Sequence, residues 1–119
     1  MERNVRMSWL LGLYGRALTQ RQASLLQQHY DEDLSLGEIA HKEGISRQGV
    51  HDAIRRGEAA LEEMESQLGL MARWTKLDDL MQEALAVTAG LRQVPGQDEA
   101  ALDRLETVLR RAMDWTEEG

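Results

Sequence analysis

Three polar side chains of one predicted helix have the chemistry needed to read the edges of nucleic-acid bases. Arg47, Gln48 and His51 lie within five consecutive residues. Arginine pairs well with guanine, and glutamine pairs well with adenine. The apolar residues Val50 and Ile54 repeat at helical spacing, so the helix buries that side and turns its polar side outward. We therefore predict Arg47, Gln48 and His51 as base-reading residues.

The same stretch carries residues suited to hold the phosphate backbone of a nucleic acid. Hydroxyl groups, cationic side chains and the backbone amides at a helix start bind phosphate oxygens without reading sequence. We predict four such contacts, at Ser46, Lys42, Arg55 and Arg56, with Arg16 and Arg21 as further candidates. A solvated charged face is the simpler alternative. Residues 35–57 hold four Lys/Arg against three Asp/Glu, and Asp52 would repel a phosphate.

The spacing of small and apolar residues around this helix predicts a helix-turn-helix. Ala40 is small where two helices must cross closely, and Gly44 follows four residues later, where the chain must turn with positive φ. Ile39, Ile45 and Val50 fill the wedge between the two helices. The alternative is an ordinary helical hairpin that has a glycine in its turn.

The elements that position this motif are all predicted to be helices. Leu occurs eighteen times, against eight for Val and Ile together, which favours helix over strand. Thr19 with Gln22, and Ser35 with Glu38, have the form of capping boxes. We predict six helices, at about Glu2 to Leu18, Thr19 to Tyr30, Ser35 to Glu43, Ser46 toward Leu68, Leu77 to Leu91, and from Asp98 onward. Gly57 is expected to weaken the middle of the fourth helix.

Length and charge divide the 119 residues into two parts. We predict a helix-turn-helix domain over residues 1–70 and an acidic helical extension over 71–119 that packs on it. Residues 1–60 are neutral, whereas 61–119 hold six Lys/Arg against thirteen Asp/Glu and account for the net charge of -7. The extension either enlarges a marginal core or, with Trp74 and Trp115, supports a homodimer or a basic protein partner.

Catalytic and metal sites find no support in the sequence. The absence of cysteine excludes disulfides, cysteine-ligated metals and a thiol nucleophile. The histidines at 29, 41 and 51 are too dispersed for a ligand pair on one helical turn. A calcium loop starting at Asp31 would need Gly and Glu where Leu36 and Lys42 stand. We expect no enzyme activity and no cofactor.

One uncharged stretch superficially suggests a targeting segment. Residues 7–15 carry no charge and follow Arg3 and Arg6, but a membrane-spanning helix needs roughly 20 apolar residues. Gly12 interrupts the stretch, and Arg16 follows it. We therefore expect a retained amphipathic helix, no membrane insertion and a cytoplasmic location.

The motif residues also carry a family resemblance. The runs from Asp33 to Ala40 and from Ile45 to Val50 resemble the bacterial YlxM family of helix-turn-helix proteins, and Arg6-Met7, Leu18-Thr19 with Gln22, and residues 62–70 extend the likeness over about 1–70. Gly49, His51 and Ala53 depart from the residues usual in that family. The resemblance implies an all-α fold with a helix-turn-helix like that of the promoter-reading domain of sigma factors. The apolar spacing itself predicts the extended recognition helix and the two further C-terminal helices.

The resemblance also implies an accessory or regulatory role. Gene neighbourhood links the family to the signal recognition particle GTPase and its receptor, and so to protein targeting. Two functions stay open from the sequence. The first is a regulatory protein that binds DNA or RNA through its helix-turn-helix, and the second is an interaction module that docks on components of the signal recognition particle without sequence-specific DNA binding.

Overall fold

The computed structural model describes residues 2–118 of the backbone and residues 2–114 of the side chains. That part of the chain is all-α and contains no strand, which confirms the predicted fold class. Its helices, in chain order, are α1 (Arg3–Tyr14), a short 3-10 turn (Gly15–Ala17), α2 (Gln20–Tyr30), α3 (Leu36–Glu43), α4 (Arg47–Leu68), α5 (Leu70–Leu91) and α6 (Glu99–Glu118). The chain divides into two compact units after Met71. The packing of the extension on the helix-turn-helix domain stays a prediction.

Local capping determines where α2 and α3 begin. The Thr19 hydroxyl accepts a hydrogen bond from the amide of Gln22 at 3.1 Å, and the Gln22 side chain accepts one from the Thr19 amide at 3.3 Å. Ser35 and Glu38 repeat this arrangement at 3.1 and 3.2 Å. Each box satisfies two amides that the helix itself leaves unpaired. Both capping boxes predicted from the sequence are confirmed.

The first unit is built around α4, which contacts α1, α2 and α3. Its core is mainly apolar, with Leu10, Leu26, Ile39, Val50 and Leu61 each 0% exposed. Burial of such side chains contributes roughly 1.5–3 kcal/mol each relative to exposure. The core therefore holds the long helix against three shorter ones and leaves its remaining side to solvent.

Gly57 has a packing role that the sequence did not indicate. The predicted continuation of α4 past Gly57 toward Leu68 is confirmed, and Gly57 itself is buried. A Cβ at this position would lie 2.7 Å from Cδ1 of Leu26. The missing side chain thus lets α2 approach α4 closely, a tertiary reason that the local sequence does not show.

The first helix is shorter than predicted, and polar contacts fasten it to α4. It ends at Tyr14 and passes into the 3-10 turn instead of continuing to Leu18. The Tyr14 hydroxyl donates to Glu65 at 2.7 Å and accepts from the Leu70 amide at 3.1 Å. Tyr14 therefore links the end of α1 to the α4–α5 junction through long-range contacts.

Two further carboxylates of α4 complete this attachment. Arg6 makes a bidentate pair with Glu62 at 2.8 and 2.7 Å. The buried Glu58 accepts hydrogen bonds from Arg3 and, at 3.0 Å, from the Tyr30 hydroxyl. A buried carboxylate is tolerated only when it is paired in this way, so Glu58 joins α1, α2 and α4.

The second unit contains α5 and α6. Asp98 caps α6 by accepting from the Ala101 amide at 3.2 Å, as predicted. Arg92 donates to Glu99, Asp103 and Glu106 at 2.8, 2.8 and 3.1 Å. Leu102 is buried, but Leu105, which we predicted on the same buried stripe, is 44% exposed. The side chain of Trp115 lies outside the described residues.

No helix in the described part of the chain is both long and apolar enough to span a membrane.

Candidate nucleic-acid interface

A three-residue turn joins α3 to α4 with the geometry of a helix-turn-helix. Gly44 ends α3 at φ +67°, in the left-handed region where a side chain is disfavoured. The Ile45 amide then donates to the Ala40 carbonyl at 3.1 Å. Ser46 starts α4 by accepting from the Gly49 amide at 3.0 Å. The turn predicted around Gly44 is confirmed.

The small core beneath this turn fixes how α4 is presented. Ile39 and Val50 are fully buried, Ile54 is 3% exposed and Ala40 is 8% exposed. These side chains lie between α3 and α4, and the polar residues on the other side of the first turns of α4 are exposed or half-buried. The helix-turn-helix therefore has its own packed core. The solvent-facing side of the first three turns of α4 is the candidate surface.

The outward side of α4 carries two rows of polar residues at four-residue steps. The first row consists of Arg47, His51 and Arg55, and the second of Gln48, Asp52 and Arg56. All except His51 are exposed, and the His51 side chain still retains 45% of its accessible surface. We call these six residues the α4 polar face.

Side chains within the α4 polar face are partly organised by Asp52. Its carboxylate accepts from Nε2 of Gln48 at 2.9 Å and lies 3.5 Å from Nδ1 of His51. The hydrogen bond orients the Gln48 amide, so its carbonyl oxygen and its second N–H remain for a ligand. Sequence reasoning identified Asp52 only as a source of repulsion and missed this orienting contact, which its i,i+4 spacing from Gln48 could have revealed.

The predicted base-reading residues come together around one shallow depression. Arg47, Gln48 and His51 line it with Leu36 from the first turn of α3. Leu36 was not among the predicted site residues, although it directly follows the Ser35 cap in the sequence. An apolar side chain beside three hydrogen-bonding groups suits contact with a base, whose methyl or ring carbons need an apolar neighbour.

The predicted phosphate contacts are accessible but more scattered. Arg55 and Arg56 are exposed on the α4 polar face, and Lys42 is exposed in the last turn of α3. The Ser46 hydroxyl is already engaged as the helix cap. At the start of α4, the amides of Arg47 and Gln48 precede the first intrahelical bonds and remain for an anion. Arg16 and Arg21, on the 3-10 turn and α2, are exposed as well.

Acidic side chains near the motif are partly committed to other contacts. Glu38 belongs to the α3 capping box, and Glu43 accepts from the buried Gln28 amide at 2.9 Å. Asp52 is therefore the acid that a ligand on the α4 polar face meets directly. No group of three or more His, Asp or Glu able to hold a metal ion occurs among the described residues.

Comparison with known proteins identifies relatives of this helix-turn-helix. The family model described as "Putative helix-turn-helix protein, YlxM / p13 like" matches residues 1–95. A UPF0122 protein of Symbiobacterium thermophilum is 51% identical over 83 residues, which cover 67% of this chain and 78% of the relative. A UPF0122 protein of Bacillus thuringiensis is 38% identical over 109 residues, 92% of this chain and 93% of the relative.

Proposed function

Because this chain belongs to the family of YlxM / p13-like helix-turn-helix proteins, we propose that it binds duplex DNA through the first turns of α4. The observation that carries the proposal is the α4 polar face, where Arg47 and Gln48 are exposed and His51 is half-buried in the first turns of a capped helix. Helices of this motif place their N-terminal residues against base edges in the major groove.

The roles of the side chains follow from their positions. Arg47, the first residue of α4, donates hydrogen bonds to O6 and N7 of guanine. Gln48 makes a pair of hydrogen bonds with adenine. His51 lies one turn further along and contacts the neighbouring base. Ser46, Lys42, Arg55 and Arg56 contact the phosphates on either side and fix the helix in register.

Duplex DNA suits this surface better than duplex RNA. The major groove of B-form DNA is about 12 Å wide and admits an α-helix, whereas the major groove of A-form RNA is too narrow for side chains to read. The chain carries a net charge of -7, so affinity must come from local contacts on α4. Sequence-independent coating of DNA is therefore not expected.

Asp52 supports a second candidate function. A carboxylate at the centre of the α4 polar face repels phosphate but suits a basic protein surface. The second candidate is therefore docking on a protein or ribonucleoprotein, with components of the signal recognition particle as the partner that the family resemblance suggests. In that function, the α4 polar face binds side chains and reads no bases.

Binding measurements on the full chain separate the two candidates. The chain is used to select duplexes from a random DNA pool, and the winning duplex and the signal recognition particle RNA are then titrated at several salt concentrations. Arg47→Ala and Gln48→Ala should each weaken binding of the selected duplex by roughly 1–3 kcal/mol and relax sequence preference. Arg104→Ala and Gln67→Ala, exposed residues outside the motif, serve as matched controls.

The outcomes decide between the functions. A selected sequence whose preference is lost in Arg47→Ala supports base reading. Failure to enrich any duplex, or equal losses in the motif variants and the controls, would overturn it. Binding of the RNA or its protein complex that is insensitive to Gln48→Ala but sensitive to Asp52→Ala would favour the docking function.

A further inference from the structure

One side of α5 leaves an apolar seam open to solvent. Its members are separated alternately by three and four residues, the heptad spacing by which helices pair, and none is charged. They are Leu77 (47% exposed), Leu80 (53%), Ala84, Val87 (59%), Leu91 (37%) and, just beyond the helix, Val94 (47%). We call these six residues the α5 seam.

The rest of the second unit offers little to cover this seam. Among its described residues, Met81, Thr88 and Leu102 are buried, while Leu105 and Val108 of α6 are 44% and 58% exposed. A unit of this size depends on further burial for stability. The α5 seam and these two α6 residues expose on the order of 500 Å² per copy, a large part of the roughly 800 Å² that each partner buries in a standard interface.

The ends of the α5 seam carry opposite charges. Arg73 and Lys76 are exposed at its beginning. At its other end, Arg92 is bonded to Glu99, Asp103 and Glu106. Arg110 also pairs with Glu106, so this cluster has one negative charge in excess. Two antiparallel copies would place the basic end of each seam beside the acidic end of the other, so the surface is complementary to itself.

The residue sizes along the seam agree with the same arrangement. Ala84 lies at the middle, with leucine and valine on both sides. A two-fold axis near Ala84 brings the helices closest where the side chain is smallest and sets Leu77 opposite Leu91 of the second copy. Symmetric self-association of this kind uses one patch twice.

We propose that the chain forms a homodimer in which the α5 seams of two copies pair antiparallel. The second unit supplies the dimer interface, whereas the α4 polar face lies on the first unit. The dimer therefore stands or falls independently of DNA binding, and each can be tested without the other.

The mass of the full chain in solution tests the dimer. Sedimentation equilibrium between 1 and 100 µM should give twice the 13.5 kDa chain mass. Leu80→Glu and Val87→Glu each place a charge in the seam and should raise the dimer dissociation constant roughly 100-fold or more. Ala86→Glu introduces the same charge on the opposite, exposed side of α5 and should leave the dimer intact.

A cysteine reporter tests the geometry without destabilising the fold. The chain has no cysteine. The Ala84→Cys variant should therefore form a disulfide between position 84 of the two copies under mild oxidation, whereas Ala86→Cys should not. A monomeric mass across the whole concentration range would overturn the proposal, whatever covers the α5 seam in that monomer. A dimer unaffected by Leu80→Glu would also overturn it, since the interface would then lie elsewhere.

Discussion

Replacing Gly57 by alanine tests how closely α2 approaches α4. This approach matters because it helps to fix the direction of α4, the helix that carries the α4 polar face. The added Cβ would lie 2.7 Å from Cδ1 and 3.3 Å from Cγ of Leu26, and 3.8 Å from Cβ of Gln22. Leu26 is 0% exposed, so its side chain has no solvent-filled space to move into. The two helices must separate, or Leu26 must leave its preferred rotamer.

Two opposing effects determine the size of the change. Alanine stabilises the middle of a helix by about 1 kcal/mol relative to glycine. Overpacking a filled core costs typically 1–3 kcal/mol. We therefore expect Gly57→Ala to lower the free energy of unfolding by about 1 kcal/mol.

Gly12 is the matched control. It lies within α1, and a Cβ there would meet no atom within 4 Å. Gly12→Ala should raise the free energy of unfolding by about 0.5–1 kcal/mol through helix propensity alone. Urea unfolding followed by fluorescence of Trp9, with Trp74 and Trp115 replaced by Phe, reports on the first unit that holds both glycines.

A double-mutant cycle isolates the predicted clash. Leu26→Ala alone should cost about 2–5 kcal/mol, but it removes the atoms nearest the new Cβ. In that background Gly57→Ala should become stabilising, giving a coupling energy of about 2 kcal/mol. If Gly57→Ala stabilised the native chain as much as Gly12→Ala does, the close approach of α2 to α4 would be refuted.

Three further substitutions test the contacts around the motif. Ser46→Ala removes the cap of α4 and should lower the free energy of unfolding in urea by about 1 kcal/mol. An unchanged midpoint of the urea transition would show that the cap does not contribute to stability. Tyr30→Phe deprives the buried Glu58 of one hydrogen bond and should cost about 1–3 kcal/mol, whereas no loss would mean that water replaces the hydroxyl. The hydrogen bond from Arg6 lowers the pKa of Glu62 below its ordinary 4.5, so the stabilisation it gives is present above that value and is lost as the pH falls through the lower folded pKa. Glu62→Gln should therefore flatten the decline of thermal stability below pH 4.5, and an identical decline in both proteins would contradict the assignment.

The elements that follow from neighbouring residues were predictable from sequence. The capping boxes at Thr19 and Ser35, the left-handed Gly44 and the cap at Ser46 all rest on contacts within three to five residues. The exposure of Arg47 and Gln48 follows from the apolar spacing on the other side of the same helix.

Features that depend on distant residues were not predictable in this way. The hydroxyl of Tyr14, at the end of α1, is bonded to Glu65 and Leu70, about fifty residues away. Gly57 reads as a helix weakener until Leu26 is placed against it. Glu58 has the sequence character of a surface charge, yet its contacts with Arg3 and Tyr30 bury it. Each of these required knowing which helices pack together.

The candidate site shows the same division. Its base-reading residues follow from the pattern along α4, whereas Leu36 joins them only through the fold. Which bases they contact depends on a partner surface, and neither periodicity nor capping carries information about that partner.

Mapping the bound surface by amide chemical shifts is the most direct test of the central claim. The full, isotope-labelled chain would be titrated with a duplex selected from a random pool. We predict that the largest shifts fall on Ser46 to Arg56 and on the nearby Leu36, with small changes along α5 and α6. Shifts confined to other helices, with the start of α4 unaffected at saturation, would contradict the account.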